Sequence, residues 1–352
     1  MSLVGVGAGR RLTVAAVGAI VAVALVGALF PDSIAGQLAT TGTFERALRL
    51  SAPITLAAIG GLYAEKSGVF NIGLEGFLIF GAFTAAAVSW AVAGGEAISQ
   101  ADLWVSVLSA VAFCAALAAV FATFAIRYEA NQIVAGLAIW FLGLGFAPFA
   151  AIVLWGRVNS PPLNSIDEVV VPLLADVPVV GPVFFAASPL VMLSGLVVLA
   201  AYVVLYYTRF GYWVQAAGEN PEALDTAGVD VNRVRYAAVI LSGALCGLGG
   251  ASLSVGFSEG FVGRGVTMVN GRGWIAITAY LFGNYNPAGT FAASLLFGGV
   301  DALQIQLQTV GISIPNRLAG LFPYVAVLVV LVLVGNTRMP SAAGDPYRTE
   351  DD

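Results

Sequence analysis

The sequence contains no histidine and only two cysteines, Cys114 and Cys246, which both lie in apolar runs. These absences exclude most zinc, haem and iron–sulfur sites, as well as any Cys/His nucleophile pair. Because no cluster of metal ligands or nucleophile–base pair is visible, we expect no metal and no catalytic residue. A buried cysteine usually behaves as a small apolar residue, so a disulfide is not the favoured expectation.

Charged residues are also scarce. They make up 10% of the 352 residues, against 59% hydrophobic residues and a mean hydropathy of +0.91. A soluble domain carries roughly 25% charged residues, and no polar segment here is as long as a soluble domain. The composition predicts an all-α polytopic membrane protein, with one transmembrane domain over 1–352 and a membrane-embedded core over 12–334.

Lysine occurs once, at Lys66. A phosphate-binding loop needs glycine directly before Lys-Ser, whereas Glu65 precedes Lys66 and Ser67 here. The chain therefore cannot be its own ATPase, and we expect it to bind no cofactor. If transport is ATP-driven, the energy has to come from another subunit.

Arginine supplies the other fourteen basic residues, and the tail 336–352 is acidic. Few lysines and surface carboxylates fit a salt-adapted organism such as a halophilic archaeon. A GC-rich genome that favours arginine codons is the alternative explanation.

Hydropathy predicts about ten transmembrane helices, since a span needs roughly 20 apolar residues. The first follows Arg10-Arg11 and is too long for the apolar region of a signal peptide, so we expect it to stay uncleaved. The eighth is short and ends at 283–287, where Gly and Pro predict a broken or re-entrant segment. The candidates are 12–30, 48–64, 70–92, 104–126, 131–154, 187–207, 236–256, 273–284, 288–307 and 318–334.

Arginine and lysine in the loops predict the orientation. With the N-terminus inside, inner segments carry nine basic residues and outer segments six. This bias is weak but favours two cytoplasmic termini, in agreement with ten spans. The Pro-rich outer loop 155–186 is expected to form an irregular cover.

The apolar sequence over 60–83 breaks at Glu65-Lys66-Ser67-Gly68 and resumes after a polar, Gly-rich patch at 71–76. Asn71, Gly73, Glu75 and Gly76 follow the break at a depth where hydrocarbon is expected, and an ionisable group there suggests function. Asn71 and Glu75 would share a face if the segment is helical. They are candidates for lining the translocation path and for forming hydrogen bonds with hydroxyl groups of a substrate. The alternative is that Glu75 pairs with an arginine or backbone groups and only holds the fold.

The most polar segment, 208–235, has local signals for short helices. Asn220 can cap a helix that starts at Pro221, Gly228 can end it in a left-handed conformation, and Asp230 or Asn232 can open the next one. Such a rigid knuckle could transmit force from a soluble partner, or it could be an ordinary surface connection.

Several ordered motifs over 45–340 resemble the permease subunits of ABC importers, specifically the nucleoside and simple-sugar branch of the ribose and branched-chain amino-acid permease family. The motifs lie at 60–76, 127–134, 218–223, 227–229, 271–277, 282–289, 315–317 and 321–324. The resemblance implies that 208–235 is the cytoplasmic coupling loop that docks on the ATP-binding subunit, and that 71–76 lines the pathway. The coupling candidates are Gly218, Glu219, Asn220, Pro221, Glu222, Ala223 and Gly228.

The motif at 127–134 adds Asn131 to the pathway candidates. The family pattern often has an asparagine a little further on, where this chain has Trp140. Trp140 is therefore a second candidate, because its ring could stack on a nucleobase or sugar. The alternative is an ordinary packing residue.

The resemblance also implies partners and location. We expect a multi-pass plasma-membrane protein that moves a nucleoside or related sugar and binds no nucleic acid. Its partners would be membrane lipid, a paralogous permease, an ATP-binding subunit that holds ATP and Mg²⁺, and an extracellular solute-binding lipoprotein. A simple-sugar permease is one alternative. An ion-coupled secondary transporter, with Glu75 and Asp301 as ion carriers, is another.

Overall fold

The computed structural model describes residues 33–311 except 173, 176 and 178–180, together with 321, 325, 328 and 337–347. The predicted spans 12–30 and 318–334 therefore lie outside the described residues, apart from three single positions. The helices are α1 Ile34–Leu38, α2 Thr41–Lys66, α3 Leu74–Ala93, α4 Gln100–Ala122, α5 Gln132–Trp155, α6 Pro189–Tyr207, α7 Arg209–Glu219, α8 Pro221–Thr226, α9 Val231–Ala251, α10 Arg272–Phe282 and α11 Pro287–Thr309.

Seven helices in the described ranges are long and apolar enough to cross a membrane. They are α2 to α6, α9 and α11, and π-helical turns at 123–127 and 252–257 extend α4 and α9. They match seven of the ten predicted spans and confirm a helical, multi-pass protein; the count of ten is approximate. The short eighth segment forms α10, whose 11 residues cover only about 16 Å at 1.5 Å per residue.

Helices α2 and α9 are the centre of the bundle. In the most apolar 18-residue stretch of each helix, 83% of the sequence is buried, whereas in the corresponding stretch of α5 only 17% is buried. Glycines let the helices approach closely: a Cβ on Gly60 of α2 would lie 2.8 Å from the carbonyl oxygen of Ser242 in α9. Similarly, a Cβ on Gly81 of α3 would meet the backbone of Gly247. Small residues at helix contacts are typical of membrane bundles.

One end of the bundle, which we call the loop end, carries the long connections 94–99, 156–188 and 258–270. The segment 156–188 contains a short antiparallel pair, β1 Val169–Val170 and β2 Ala186–Ala187, and a π-helical turn at 181–185. It is held to the connection 258–270 by backbone hydrogen bonds such as that from Ser160 N to the Phe261 oxygen, at 2.9 Å.

The opposite end, the knuckle end, is formed by 67–73, the knuckle of α7 and α8, the turn 283–286 and the segment 337–347. The predicted caps are confirmed: Asn220 Oδ1 accepts from Ala223 N at 3.0 Å, Gly228 has φ +78°, and Asp230 caps α9. Residues 231–235 belong to helix α9, which starts after the Asp230 cap and continues into the membrane span.

The tail was expected only as an acidic extension. Its described part, 337–347, instead packs on the knuckle end: Ala342 N donates to the Gly218 oxygen at 2.8 Å, and Gly344 N donates to the Gly68 oxygen at 2.9 Å. The last residues, 348–352, lie outside the described residues.

Candidate functional site

The break between α2 and α3 turns back into the bundle. At its start, the Ser67 oxygen accepts a hydrogen bond from Arg235 Nε at 3.1 Å, and at its deep end Asn71 Nδ2 donates to Ser242 Oγ at 3.0 Å. Arg235 and Ser242 are seven residues apart on α9, so Asn71 lies about 10 Å further along that helix than Ser67 does. Helix α3 therefore begins inside the bundle, where apolar helices surround it.

Asn71 lies before α3 rather than on it. Its side chain is 1% exposed, and Oδ1 accepts from Gly73 N at 3.0 Å, which closes a tight local turn. The helical arrangement that would put Asn71 and Glu75 on one face is therefore not formed. Instead Asn71 joins the break to α9 through its bond to Ser242.

Glu75 links α3 to the start of α10. The side chain is 2% exposed; Oε1 accepts from Gly271 N at 2.8 Å and Oε2 accepts from Gly273 N at 2.6 Å. Gly271 precedes α10 in a left-handed conformation, with φ +84°. A carboxylate at this position satisfies free N–H groups and complements the positive end of the helix dipole. Glu75 is thus paired with backbone groups, while substrate contact stays a prediction.

Glycine contacts leave no room for side chains around the first turn of α3. A Cβ on Gly76 would lie 2.5 Å from the Ile139 oxygen of α5, and a Cβ on Gly136 would lie 2.9 Å from Gly73 N. On the other side, a Cβ on Gly273 of α10 would clash with the backbone of Glu75. The first turn of α3 is therefore held between α5 and α10 by backbone contacts.

An aromatic pair lies beside this turn. The rings of Trp140 in α5 and Trp274 in α10 meet edge to face, with centroids 5.2 Å apart, and both residues are half-buried. Trp140 also stacks on Phe141 at 4.8 Å. The pair bridges the two helices that flank α3, so Trp140 has a packing role and remains partly exposed.

Asn131 is separate from this group. It is exposed, and its Oδ1 caps α5 by accepting from Ile133 N and Val134 N at 3.0 and 3.1 Å. The neighbouring Gln132 is the one that reaches the break, since its Oε1 accepts from Phe70 N at 2.6 Å.

Three residues around the site were not among the predicted ones. Trp274 and Arg272 lie in the motif 271–277, which was noted without assigning them a role. Arg272 Nη1 donates to the carbonyl oxygens of Met268 and Val269, both at 3.1 Å. Ser242 lies in an apolar run of α9, and no sequence signal distinguishes it.

A second buried carboxylate holds the opposite end of α10. Glu65, at the end of α2, is fully buried and accepts from Tyr280 Oη at 2.5 Å and from Tyr285 Oη at 2.6 Å. Tyr280 lies on α10 and Tyr285 in the turn that follows it. The two carboxylates thus attach both ends of the short helix to α2 and α3.

The knuckle contacts the break directly. A Cβ on Gly218, near the end of α7, would clash with the Lys66 carbonyl and lie 3.2 Å from Gly68 N. Beyond this contact the knuckle is open to its surroundings: Glu219, Asn220, Glu222, Ala223 and Gly228 are exposed and Pro221 is half-buried. The predicted coupling residues therefore form an exposed surface whose base abuts the first residues of the break.

Comparison with known proteins identifies the family. Residues 43–331 match the model of the branched-chain amino acid transport system / permease component family. The chain is 35% identical over 304 residues to the guanosine ABC transporter permease protein NupQ of Bacillus subtilis, which covers 84% of this chain and 93% of the relative. It is 34% identical to the nucleoside ABC transporter permease protein NupC of Lactococcus lactis, with 84% and 93% coverage.

A third relative is the putative glucose ABC transporter permease protein TsgC13 of Haloferax volcanii, with 32% identity over 88% of this chain and 98% of the relative. No solved structure matches the chain. Apart from the first two residues of α2, the family match covers all seven candidate spans, the break and the knuckle. The chain therefore belongs to the permease-component family of branched-chain amino acid transport systems.

Proposed function

We propose that this chain is the membrane-spanning permease subunit of an ATP-driven importer and forms the translocation path for a nucleoside or related sugar. The observation that carries the proposal is the direct contact between the exposed knuckle and the buried polar break, through Gly218 and the backbone of Lys66 and Gly68. A movement imposed on the knuckle from outside the bundle would reach the break with no intervening side chain.

The path would run past the first turn of α3. Asn71, Glu75 and the pair of Trp140 and Trp274 are among the polar and aromatic groups at this depth, and Gly73 and Gly76 keep the neighbouring helices close. Trp140 is the candidate for stacking on a base or sugar face. Glu75 would act mainly by holding α10 in place, because both of its oxygens already accept backbone hydrogen bonds.

Alternating access would depend on the contacts between the knuckle and the break. Closure of an ATP-binding partner, which holds ATP and Mg²⁺, would push on the knuckle, and the bundle around the break would rock between outward- and inward-facing states. In the orientation predicted from the basic residues of the loops, the knuckle end and both termini face the cytoplasm. The exposed acids Glu219 and Glu222 suit a partner groove with basic residues.

The remaining partners follow from the relatives. Two Lactococcus lactis relatives, NupC and NupB, are both nucleoside ABC transporter permease proteins, and NupB is 30% identical over 108 residues. This supports a pore built from two different permeases. An extracellular solute-binding lipoprotein would deliver the solute to the loop end. A simple sugar is the second candidate substrate, because the Haloferax volcanii relative is named as a putative glucose permease.

Uptake of radiolabelled guanosine, uridine and ribose in a deletion strain, with and without this gene restored, tests the proposal. We expect restored nucleoside uptake that ribose does not compete away and that Glu222→Arg abolishes. Glu222→Asp is the control, since it keeps the negative charge at the same exposed position, and should leave uptake unchanged. Uptake of ribose alone would mean that the substrate is a simple sugar rather than a nucleoside. Uptake that follows a proton or sodium gradient and survives Glu222→Arg would contradict ATP coupling.

A further inference from the structure

Arg235 is a buried arginine at the start of α9, with 2% of its surface exposed. Its guanidinium donates to backbone carbonyls of three separate segments: Nε to Ser67 at 3.1 Å, Nη1 to Asp345 at 2.9 Å, and Nη2 to Ala217 at 3.4 Å. Among the described residues it forms no salt bridge. A buried charge is costly unless it is well hydrogen-bonded, so these three contacts need to persist together.

The three segments are the break, the end of α7 in the knuckle, and the tail segment 337–347. Gly68 lies against the guanidinium: its φ is +95°, and a Cβ there would come within 2.7 Å of Arg235 Nη2. Gly218 packs on the backbone of Lys66 and Gly68 from the knuckle side. Both glycines are therefore required for the arginine, the break and the knuckle to meet.

The tail segment links the same two elements a second time. Ala342 N donates to the Gly218 oxygen at 2.8 Å, and Gly344 N donates to the Gly68 oxygen at 2.9 Å. In addition, Ser341 Oγ donates a hydrogen bond to the backbone carbonyl oxygen of Glu219 at 2.7 Å. The segment thus crosses from the knuckle to the break like a strap.

Helix α9 extends this connection into the bundle. Seven residues beyond Arg235, Ser242 accepts the hydrogen bond from Asn71. One helix therefore holds the break at its shallow end, through Ser67, and at its deep end, through Asn71. A displacement of the knuckle would be transmitted to both ends of the break at once.

We propose that Arg235 is the positioning residue of energy coupling: with the strap 337–347 it joins the knuckle, the break and α9 into one unit, so that force on the knuckle moves the break. The inference rests on the proposed function, since it presumes that an ATP-binding partner pushes on the knuckle. It gives the tail segment a role in transport and assigns the residue through which the three elements act.

The test uses the complete complex reconstituted in liposomes, with solute uptake and ATP hydrolysis measured on the same vesicles at equal amounts of assembled complex. For Arg235→Met we expect ATP hydrolysis to continue while the solute moved per ATP falls about tenfold, the size of a moderate coupling energy. Arg235→Lys should recover part of the ratio, because one charged donor remains. Arg127→Met is the matched control: Arg127 is exposed at the end of the turn 123–127, and its loss should leave the ratio unchanged.

Ala342→Pro provides a second variant if Arg235→Met does not assemble. It removes the N–H that donates to Gly218 and restricts the backbone of 341–342 on a surface segment, so it should weaken the strap and lower the same ratio. An assembled Arg235→Met complex with an unchanged ratio would overturn the inference, as would an unchanged ratio for Ala342→Pro when Arg235→Met fails to assemble. A complex with the native sequence that shows no ATP-driven uptake would overturn the proposed function, and the inference with it.

Discussion

Glu65 and Glu75 are two buried carboxylates that hold opposite ends of α10, yet their partners differ in kind. Glu65 accepts from two tyrosine hydroxyls, and Glu75 accepts from two backbone N–H groups. A hydroxyl can rotate to donate or accept, whereas an N–H can only donate. The end of α10 at Glu65 therefore tolerates a change in the acceptor, but the end at Glu75 requires two acceptor atoms.

Glu75→Gln should have the largest effect. The amide offers one acceptor oxygen and places an NH₂ group against the second N–H, so one buried donor faces another. Losing a charged acceptor and leaving a buried N–H unpaired should lower the free energy of unfolding by about 3 kcal/mol. Thermal unfolding in detergent measures the loss, and uptake should fall with it. A stability equal to that of the native chain would contradict the assigned hydrogen bonds.

Gly273→Ala should have an intermediate effect, because it disturbs the Glu75 end of α10 without changing the carboxylate. The new methyl group would clash with the backbone of Glu75 and push α10 away from α3, at a cost of about 2 kcal/mol. Gly299→Ala is the matched control, since a Cβ at Gly299 of α11 meets nothing within 4 Å. If both variants unfold at the same temperature, the close packing of α10 on α3 is wrong.

Glu65→Gln should have the smallest effect, below about 1 kcal/mol. The amide oxygen can accept from one tyrosine, and the NH₂ group can donate to the other once that hydroxyl turns. The comparison with Glu75→Gln is the decisive readout: both changes remove one charge from a buried carboxylate. Equal losses of stability would mean that charge matters more than donor geometry at these two positions.

Local chemistry accounts for what the sequence could predict. The caps at Asn220 and Asp230 and the turn at Gly228 depend on residues within three or four positions, so their patterns were readable. The break, predicted at 65–68 and observed at 67–73, and the short α10 were also evident, because glycine, proline and charge interrupt apolar runs there. The family motifs then predict that the knuckle is the coupling loop.

Contacts between distant segments account for what could not be predicted. Glu75 binds Gly271 and Gly273 across almost 200 residues, and no pattern within α3 indicates those partners. Helix α2 begins at Thr41, earlier than the predicted 48, because Thr40 caps it and two arginines near its start find distant partners. Arg46 donates to Gln306, and the Arg49 guanidinium lies 4.9 Å from the centre of the Phe257 ring.

Lys66 has a practical consequence for studying this protein. It is the only lysine, so an amine-reactive reagent meets one side-chain amine in the entire chain. That amine is half-buried, with Nζ 5.9 Å from the centre of the Tyr285 ring, directly where α2 meets the break. Besides the α-amino group, the native sequence thus carries a single amine for labelling, and its reaction rate, or a fluorophore attached to it, would report opening of the break without an engineered cysteine.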